Sequence, residues 1–255
     1  MFKRGRKRCA RPGQGARGDL KHRPPACYAQ RPAHRHQGLI VKDELANNRK
    51  AWVDAAYTLL IGAGVGAVKI VPLAKQLKTS RTSFYWLFKD REEILEALLA
   101  RWEAQNTQAV ITQSERYAAT IVEATLNVFD CWFDPAIFDS EFEYAVRSWS
   151  LQDPAVATRV QRADSARLGA LKAMFARFGY PELEADTRAR TVYLLQIGYI
   201  SMHIQESKDT RITRIAEYVR IFTGQPCTES DIARFADRHR ARFRTSATPA
   251  AKSAT

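Results

Sequence analysis

The chain has 255 residues, of which 45% are hydrophobic and 26% charged, enough for a large buried core and too polar for a membrane protein. Its formal net charge of +13 points to an acidic partner such as nucleic acid. The excess is uneven: the first 48 residues hold 12 Lys and Arg against 3 Asp and Glu, whereas residues 101–255 are close to balance.

Residues 1–46 are rich in Arg, Pro, Gly, Ala and His with almost no apolar periodicity, and are expected to be a disordered basic extension. Two readings stay open for it. It is either an arm that adds phosphate contacts or the product of an upstream start codon in a GC-rich gene, with the native start near Val41. Its beginning, MFKRGRKRCARPGQGARGDL, has no apolar segment behind the charges and is not a secretory signal. The longest strongly apolar run, Thr191–Ile204, is interrupted by Gln196, Ser201 and His203 and falls short of a membrane span, so no membrane partner is expected. Cys9, Cys27, Cys131 and Cys227 form no CxxC pair; Cys27, His34 and His36 are only loosely grouped, so no metal or other cofactor is expected. A reduced, cytoplasmic protein is the expectation.

From Asn48 onward helices follow one another. Asn48 is placed to cap a helix over Arg49–Ile61, whose Ala51, Trp52, Ala55, Ala56, Leu59 and Leu60 fall on one face, and Gly62, Gly64 and Gly66 end it. A second helix covers Val71–Leu77, with Pro72 tolerated in its first turn. Lys78 and Thr79 form a turn, and Ser80 caps a third helix over Arg81–Phe88. A fourth helix opens at Asp90, with Asp90 and Glu93 at capping-box spacing, and runs past Gln108. Further helices are expected at Arg116–Trp132, Ser140–Gln152, Ala155–Phe178, Leu183–Ser207, Arg211–Thr223 and Glu229–Phe243, separated by Asp-Pro, Gly and Pro punctuation. No strand alternation and no repeat is present.

Two short helices joined by a tight turn over Val68–Phe88 outline a helix-turn-helix. In the second of them Phe84 and Phe88 face inward, while Arg81, Thr82, Tyr85, Trp86 and Lys89 make the opposite face. That face carries hydroxyls, aromatics and cations but no carboxylate, which suits a phosphate-lined groove better than plain solvent. Arg49, Lys50 and Lys69 near helix starts, and Arg91 just beyond, are further candidate phosphate contacts.

The run PLAKQLKTSRTSFYWLFKDREEILEALL resembles the DNA-binding domain of the TetR family of bacterial transcription regulators, over Asn48–Trp102. The resemblance implies that Tyr85 contacts backbone phosphate, that Arg81, Thr82 and Ser83 approach bases or phosphates, and that Lys89 and Arg91 hold phosphate. The chain departs from the family pattern at Lys78, where Gly is usual and a positive φ is expected, and at Leu87, where many relatives have His.

The expected architecture is all-α: a three-helix helix-turn-helix domain at 47–92, a larger helical ligand-binding and dimerisation domain at 93–226, and a short helix and tail at 227–255. One reader helix covers only a few base pairs, so a homodimer on a palindromic double-stranded operator is expected. Leu183–Ser207 is apolar nearly all round and must be covered on every side, either as a central helix or against its own copy. The resemblance, in which the last two main helices pair, favours the second, with Val192, Leu195, Tyr199, His203, Ile215, Val219 and Phe222 at the interface. The candidate pocket for an effector of unknown identity is built of Phe129, Trp132, Phe142, Trp149, Tyr193 and Tyr199, although aromatics at helical spacing also make ordinary core. The resulting expectation is a ligand-responsive repressor. An activator or a helical interaction protein without DNA function is the alternative. An enzyme is not expected, because no G-x-S-x-G, HExxH, phosphate loop or strand-linked GxGxxG occurs.

Overall fold

The computed structural model describes residues 34–246, with side chains described over 48–239. The expectations that rest on residues 1–33, and on the side chains of Cys27, His34 and His36, lie outside the described residues. Among the described residues there are eleven α-helices and no strand. They are α1 (His34–Ala63), α2 (Ile70–Gln76), α3 (Arg81–Tyr85), α4 (Arg91–Trp102), α5 (Gln108–Glu115), α6 (Ile121–Phe133), α7 (Ser140–Ser150), α8 (Pro154–Arg177), α9 (Glu182–Ser201), α10 (Lys208–Thr223) and α11 (Glu229–Ser246). A 3₁₀ turn, Val65–Ala67, precedes α2, and a π-turn, Glu103–Thr107, joins α4 to α5 in one continuous rod. Asn48 therefore lies inside α1 and does not cap it.

Local chemistry sets most boundaries. The side chains of Ser80, Asp90, Thr120, Asp139 and Ser207 each accept a backbone N–H of the following first turn. Asp90 takes the Glu93 amide at 2.9 Å while the Glu93 carboxylate takes the Lys89 amide at 2.7 Å, a capping box shifted back by one residue. Asp153 accepts from Ala155 and Val156, and Pro154 then opens α8 without wasting a donor.

Three helices end in the same way. Thr79 N–H reaches Ala74 O (2.9 Å) and Lys78 N–H reaches Lys75 O (3.1 Å) after α2; Ile204 and His203 repeat the pattern on Tyr199 and Ile200 after α9, and Tyr180 and Gly179 on Phe175 and Ala176 after α8. This is the Schellman motif, whose penultimate residue sits at positive φ. Gly179 does so at 86° without strain, but Lys78 adopts 52° and His203 adopts 50°. The expected positive φ at Lys78 is observed. At His203 the same turn stops α9 at Ser201, six residues before the expected end, because a non-glycine in the left-handed region gives no warning in the sequence. Lys78→Gly is expected to raise stability by about 0.5 kcal/mol, the relief of a left-handed side chain less the added chain entropy. Urea denaturation measures it, and a loss of stability would show that the Lys78 side chain contributes packing that offsets its strain.

Helix α3 is also shorter than expected. Trp86 and Leu87 form a turn beyond Tyr85, although Phe88 N–H still bonds Phe84 O at 2.9 Å. Phe84 and Phe88 are both fully buried and stack at 5.2 Å, and Trp52 meets Phe84 edge-on at 5.3 Å.

Two apolar cores result. The first joins α1–α4 and is completed by Phe142, Val146 and Trp149 of α7 and Val156 and Val160 of α8. The second surrounds α6, in which twelve of the thirteen residues are buried. The central helix is thus α6 and not α9, whose Leu194 and Leu195 are left in solvent while Ala185, Ala189, Val192, Tyr193 and Ile200 pack inward. Among the described residues no helix is long and apolar enough to cross a membrane.

Candidate nucleic-acid interface

The reader face is held by the caps on either side of it. Ser80 fixes the start of α3, with Ser83 N–H on its hydroxyl at 3.2 Å, and the Phe84–Phe88 pair anchors the far end in the first core. Between these anchors Arg81, Thr82, Tyr85, Trp86 and Lys89 are exposed on one surface, Tyr85 at 59% and Trp86 at 81%. Ser83 is half-buried and hydrogen-bonded to Ser80 and Thr79 at 3.1 Å each. Among the described residues no carboxylate lies within ion-pair distance of Lys69, Arg81 or Lys89, so these cations keep their donors for a partner. The exposed Lys75 and Lys78 on α2 and its turn add charge to the same unit.

The flanking cations differ. Arg49 donates to the Leu87 carbonyl and, at 2.9 Å, to Glu93, and its guanidinium lies over the Phe88 ring at 4.1 Å. Arg91 donates to Val68 O at 2.7 Å and Val65 O at 2.9 Å. Both were read from the sequence as phosphate contacts. In the fold they spend their donors as internal clamps, Arg49 tying α1 to the turn after α3 and Arg91 tying α4 to the turn before α2. Glu93 consequently has its carboxyl held below the ordinary carboxylate range, first by the Lys89 amide and then by Arg49. Lys50 is exposed but paired with Asp54 at 2.7 Å, one turn along α1.

Behind the reader, the α4–α5 rod passes through a buried polar network. Glu143 and Arg167 are both fully buried and paired bidentately at 2.7 and 3.1 Å. Glu143 also accepts from Trp102 Nε1 (2.7 Å), Asn106 Nδ2 (3.0 Å) and Arg147 Nε (2.9 Å), which ties both ends of the π-turn region to α7. Arg147 continues to Asp164 at 2.5 Å, and Tyr193 O–H donates to Asp164 at 2.6 Å. Asn106 and the Asp139 backbone exchange two hydrogen bonds of 2.9 Å, and Tyr57 of α1 donates to the Asp139 carboxylate. Burial opposes ionisation of Glu143, but the adjoining Arg167 and Arg147 guanidiniums outweigh it and hold its carboxyl below the usual value.

The proposed pocket aromatics separate into three places. Phe129, Trp132 and Tyr199 do line one narrow cleft, between α6, α9 and α10. Phe142 and Trp149 instead pack in the first core, because α7 turns that face toward α1 and α4. Tyr193 is buried with its hydroxyl in the ion network. Sequence reading missed Arg211, Gln196 and Tyr218 in this cleft; a cation spaced one helical turn from Ile215 was the available signal.

The proposed dimer residues also divide. Val192, Ile215, Val219 and Phe222 are buried in the subunit's own second core, since α10 packs that stripe on α6, and they cannot face a partner without unpacking it. Leu195, Tyr199 and His203 reach the surface.

A short two-helix reader on a clamped three-helix head, followed by a helical body, defines a DNA-binding regulator of the helix-turn-helix class. Residues 53–98 match the model of the family described as bacterial regulatory proteins, tetR family. Similar folds occur in a Mesorhizobium loti protein assigned to the tetR family of transcriptional regulators (TM-score 0.54, 14% identity, 71% of this chain and 96% of that one). They occur also in Salmonella enterica GusR (0.51, 14%, 78% and 96%) and in Mycobacterium smegmatis AmtR (0.50, 16%, 79% and 96%). No curated protein matches the sequence.

Proposed function

We propose that the chain is a homodimeric, ligand-responsive repressor that binds a palindromic operator. The observation that carries the reading is the surface of α3 and its following turn: five exposed side chains, two of them cations without a carboxylate, on a helix fixed at both ends. Arg81, Thr82 and Ser83 at the start of α3 approach base edges and phosphates, Tyr85 and Lys89 take phosphate, and Lys69 and Lys50 extend the phosphate contacts. Arg49 and Arg91 support this surface by clamping it. Trp86 lies at its edge with its ring exposed.

Dimerisation supplies the second reader. Leu194 (57% exposed), Leu195, Met202 and, on α10, Ile221 form the apolar surface offered to a partner, with Gly198 between Leu194 and Met202 allowing close approach. Ligand binding in the helical body shifts the α4–α5 rod, which the π-turn and Glu143 network couple to α7, α8 and α9, and so changes the separation of the two readers. Repression follows from occupancy of the operator.

Selection from random duplexes, followed by sedimentation of the protein with and without the selected site, tests the reading. The expected result is a palindromic consensus bound by two chains, with half-sites one helical turn or a multiple apart. Leu194→Arg combined with Met202→Arg is expected to give a folded monomer with a large loss of operator affinity. A consensus without two-fold symmetry, or an unaltered dimer in that variant, would remove the homodimer on this face.

A further inference from the structure

The turn between α2 and α3 carries a strained residue that the folded subunit does not explain. Lys78 ends α2 in the left-handed region, at φ 52°, with its amide on Lys75 O at 3.1 Å. At the ends of α8 and α10 the chain uses glycine instead, Gly179 at 86° and Gly224 at 70°, where no side chain is strained. His203, the other non-glycine in this region, has its ring against Tyr144 at a centroid distance of 3.9 Å. Lys78 has no such partner. It is exposed, and among the described residues no carboxylate lies within ion-pair distance of its ammonium. Strain that no internal contact offsets points to a contact outside the subunit.

Lys78 lines an open groove between Asn48 of α1 and the part of α3 and its turn that carries Ser83 and Trp86. None of the residues lining this groove is acidic. The Thr79 hydroxyl is spent on Ser83 at 3.1 Å, and Ser83 shares a second bond with Ser80 at 3.1 Å. The side-chain donors that the groove keeps on its surface include the exposed Asn48 amide, the Lys78 ammonium and the Trp86 indole. Donors and a cation without a carboxylate suit an anion. In a helix-turn-helix complex the strands bordering the entered groove run beside the reader helix, so the anion at hand is the sugar-phosphate backbone of the operator. We propose that this groove is a second track for that backbone and that Lys78 holds one of its phosphates. The inference rests on the operator-binding reading above and adds to it a contact carried by the turn. Glycine, usual here in the family that the head resembles, has no side chain to make it, so the contact is particular to this chain. Lys78 accepts backbone strain in the free protein for a charged contact made only on DNA.

Fluorescence anisotropy of the full chain on the duplex recovered by selection tests the proposal. Lys78→Gln is expected to weaken binding about tenfold and, with two chains on the site, to flatten the slope of log K against log salt by about 1.8. Lys78→Arg is expected to keep the slope. Lys78→Gly is expected to move stability and affinity in opposite directions, giving a more stable protein that binds less tightly, a result that loss of fold does not produce. Duplexes with a single neutral methylphosphonate, scanned along the half-site, locate the contact: at one phosphate the native chain loses affinity while the Lys78→Gln chain is indifferent. An unchanged slope in the Lys78→Gln chain overturns the proposal and leaves the regulator standing. An equal loss in a Lys75→Gln chain, with no phosphate at which Lys78→Gln is indifferent, overturns it as well, because the charge then acts diffusely across the head. A native chain that binds no duplex removes the operator-binding reading and this contact with it.

Discussion

Replacing Arg81 by Ala, Tyr85 by Phe and Lys89 by Ala in one chain is expected to weaken operator binding by about a thousandfold or more while leaving the fold intact. Each side chain is exposed and the two cations lack an internal carboxylate, so their loss breaks no contact of the folded subunit. Tyr85→Phe keeps the ring edge-on to Phe84 at 5.4 Å and removes only the hydroxyl. In a dimer the substitutions delete four cations from the interface, and counterion release then predicts that the slope of log K against log salt flattens by about 3.6. Fluorescence anisotropy on the selected duplex at several salt concentrations reads both quantities. An unchanged slope would show that the cations of this face do not touch phosphate, whatever happens to affinity. Arg49→Ala and Arg91→Ala provide the contrast: both should lower stability as well as affinity, because their donors are spent on Leu87, Glu93, Val65 and Val68 within the head.

The second large effect is thermodynamic. Glu143→Gln leaves Arg167 buried with its charge uncompensated and is expected to cost about 3–5 kcal/mol, whereas Glu143→Gln with Arg167→Met should recover most of the loss. Arg147 is protected by its separate pairing with Asp164, so Arg167 carries the penalty. The same pair gives a signed pH dependence. The Glu143 carboxyl is held below its ordinary value in the folded chain, so the pair's contribution is complete above the unfolded carboxylate pKa and is lost as pH falls through the lower folded value. Acid unfolding of the native chain should therefore be steeper than that of the double variant. Urea melts at pH 7 and pH 4 measure both; a Glu143→Gln protein within about 1 kcal/mol of the native one would show that water or a neighbour relieves Arg167.

The two effects lie on one structural path. Trp102, Asn106 and Thr107, all in or beside the π-turn of the α4–α5 rod, are bonded to Glu143 or Arg167, and the first core passes without interruption from Phe84 and Phe88 of the reader to Phe142 and Trp149 of α7. The reader and the helical body are therefore joined by buried contacts and not by a loose linker.

The sequence alone determined what local spacing can carry. The i, i+4 pairing of Phe84 and Phe88 already separated an inner face from the outer one of Arg81, Thr82, Tyr85, Trp86 and Lys89. The caps at Ser80 and Asp90 depend only on neighbouring residues; the left-handed turn at Lys78 came from the family resemblance, in which glycine is usual there. Tertiary structure decided which apolar helix is enclosed and which polar groups are already occupied. Whether α6 or the apolar run of α9 is central depends on what packs around it: α6 is enclosed, whereas Leu194 and Leu195 of α9 stay exposed. Arg49 and Arg91 have the same composition signal as phosphate contacts, but carbonyls brought close by folding at Val65, Val68 and Leu87 consume their donors. Tyr193, Phe142 and Trp149 share the aromatic signature of Phe129 and Trp132, and only the orientation of α7 and α9 assigns them to an ion network and a core. A periodic pattern reports which side of its own helix a residue occupies; what stands opposite that side is a property of residues distant in the chain.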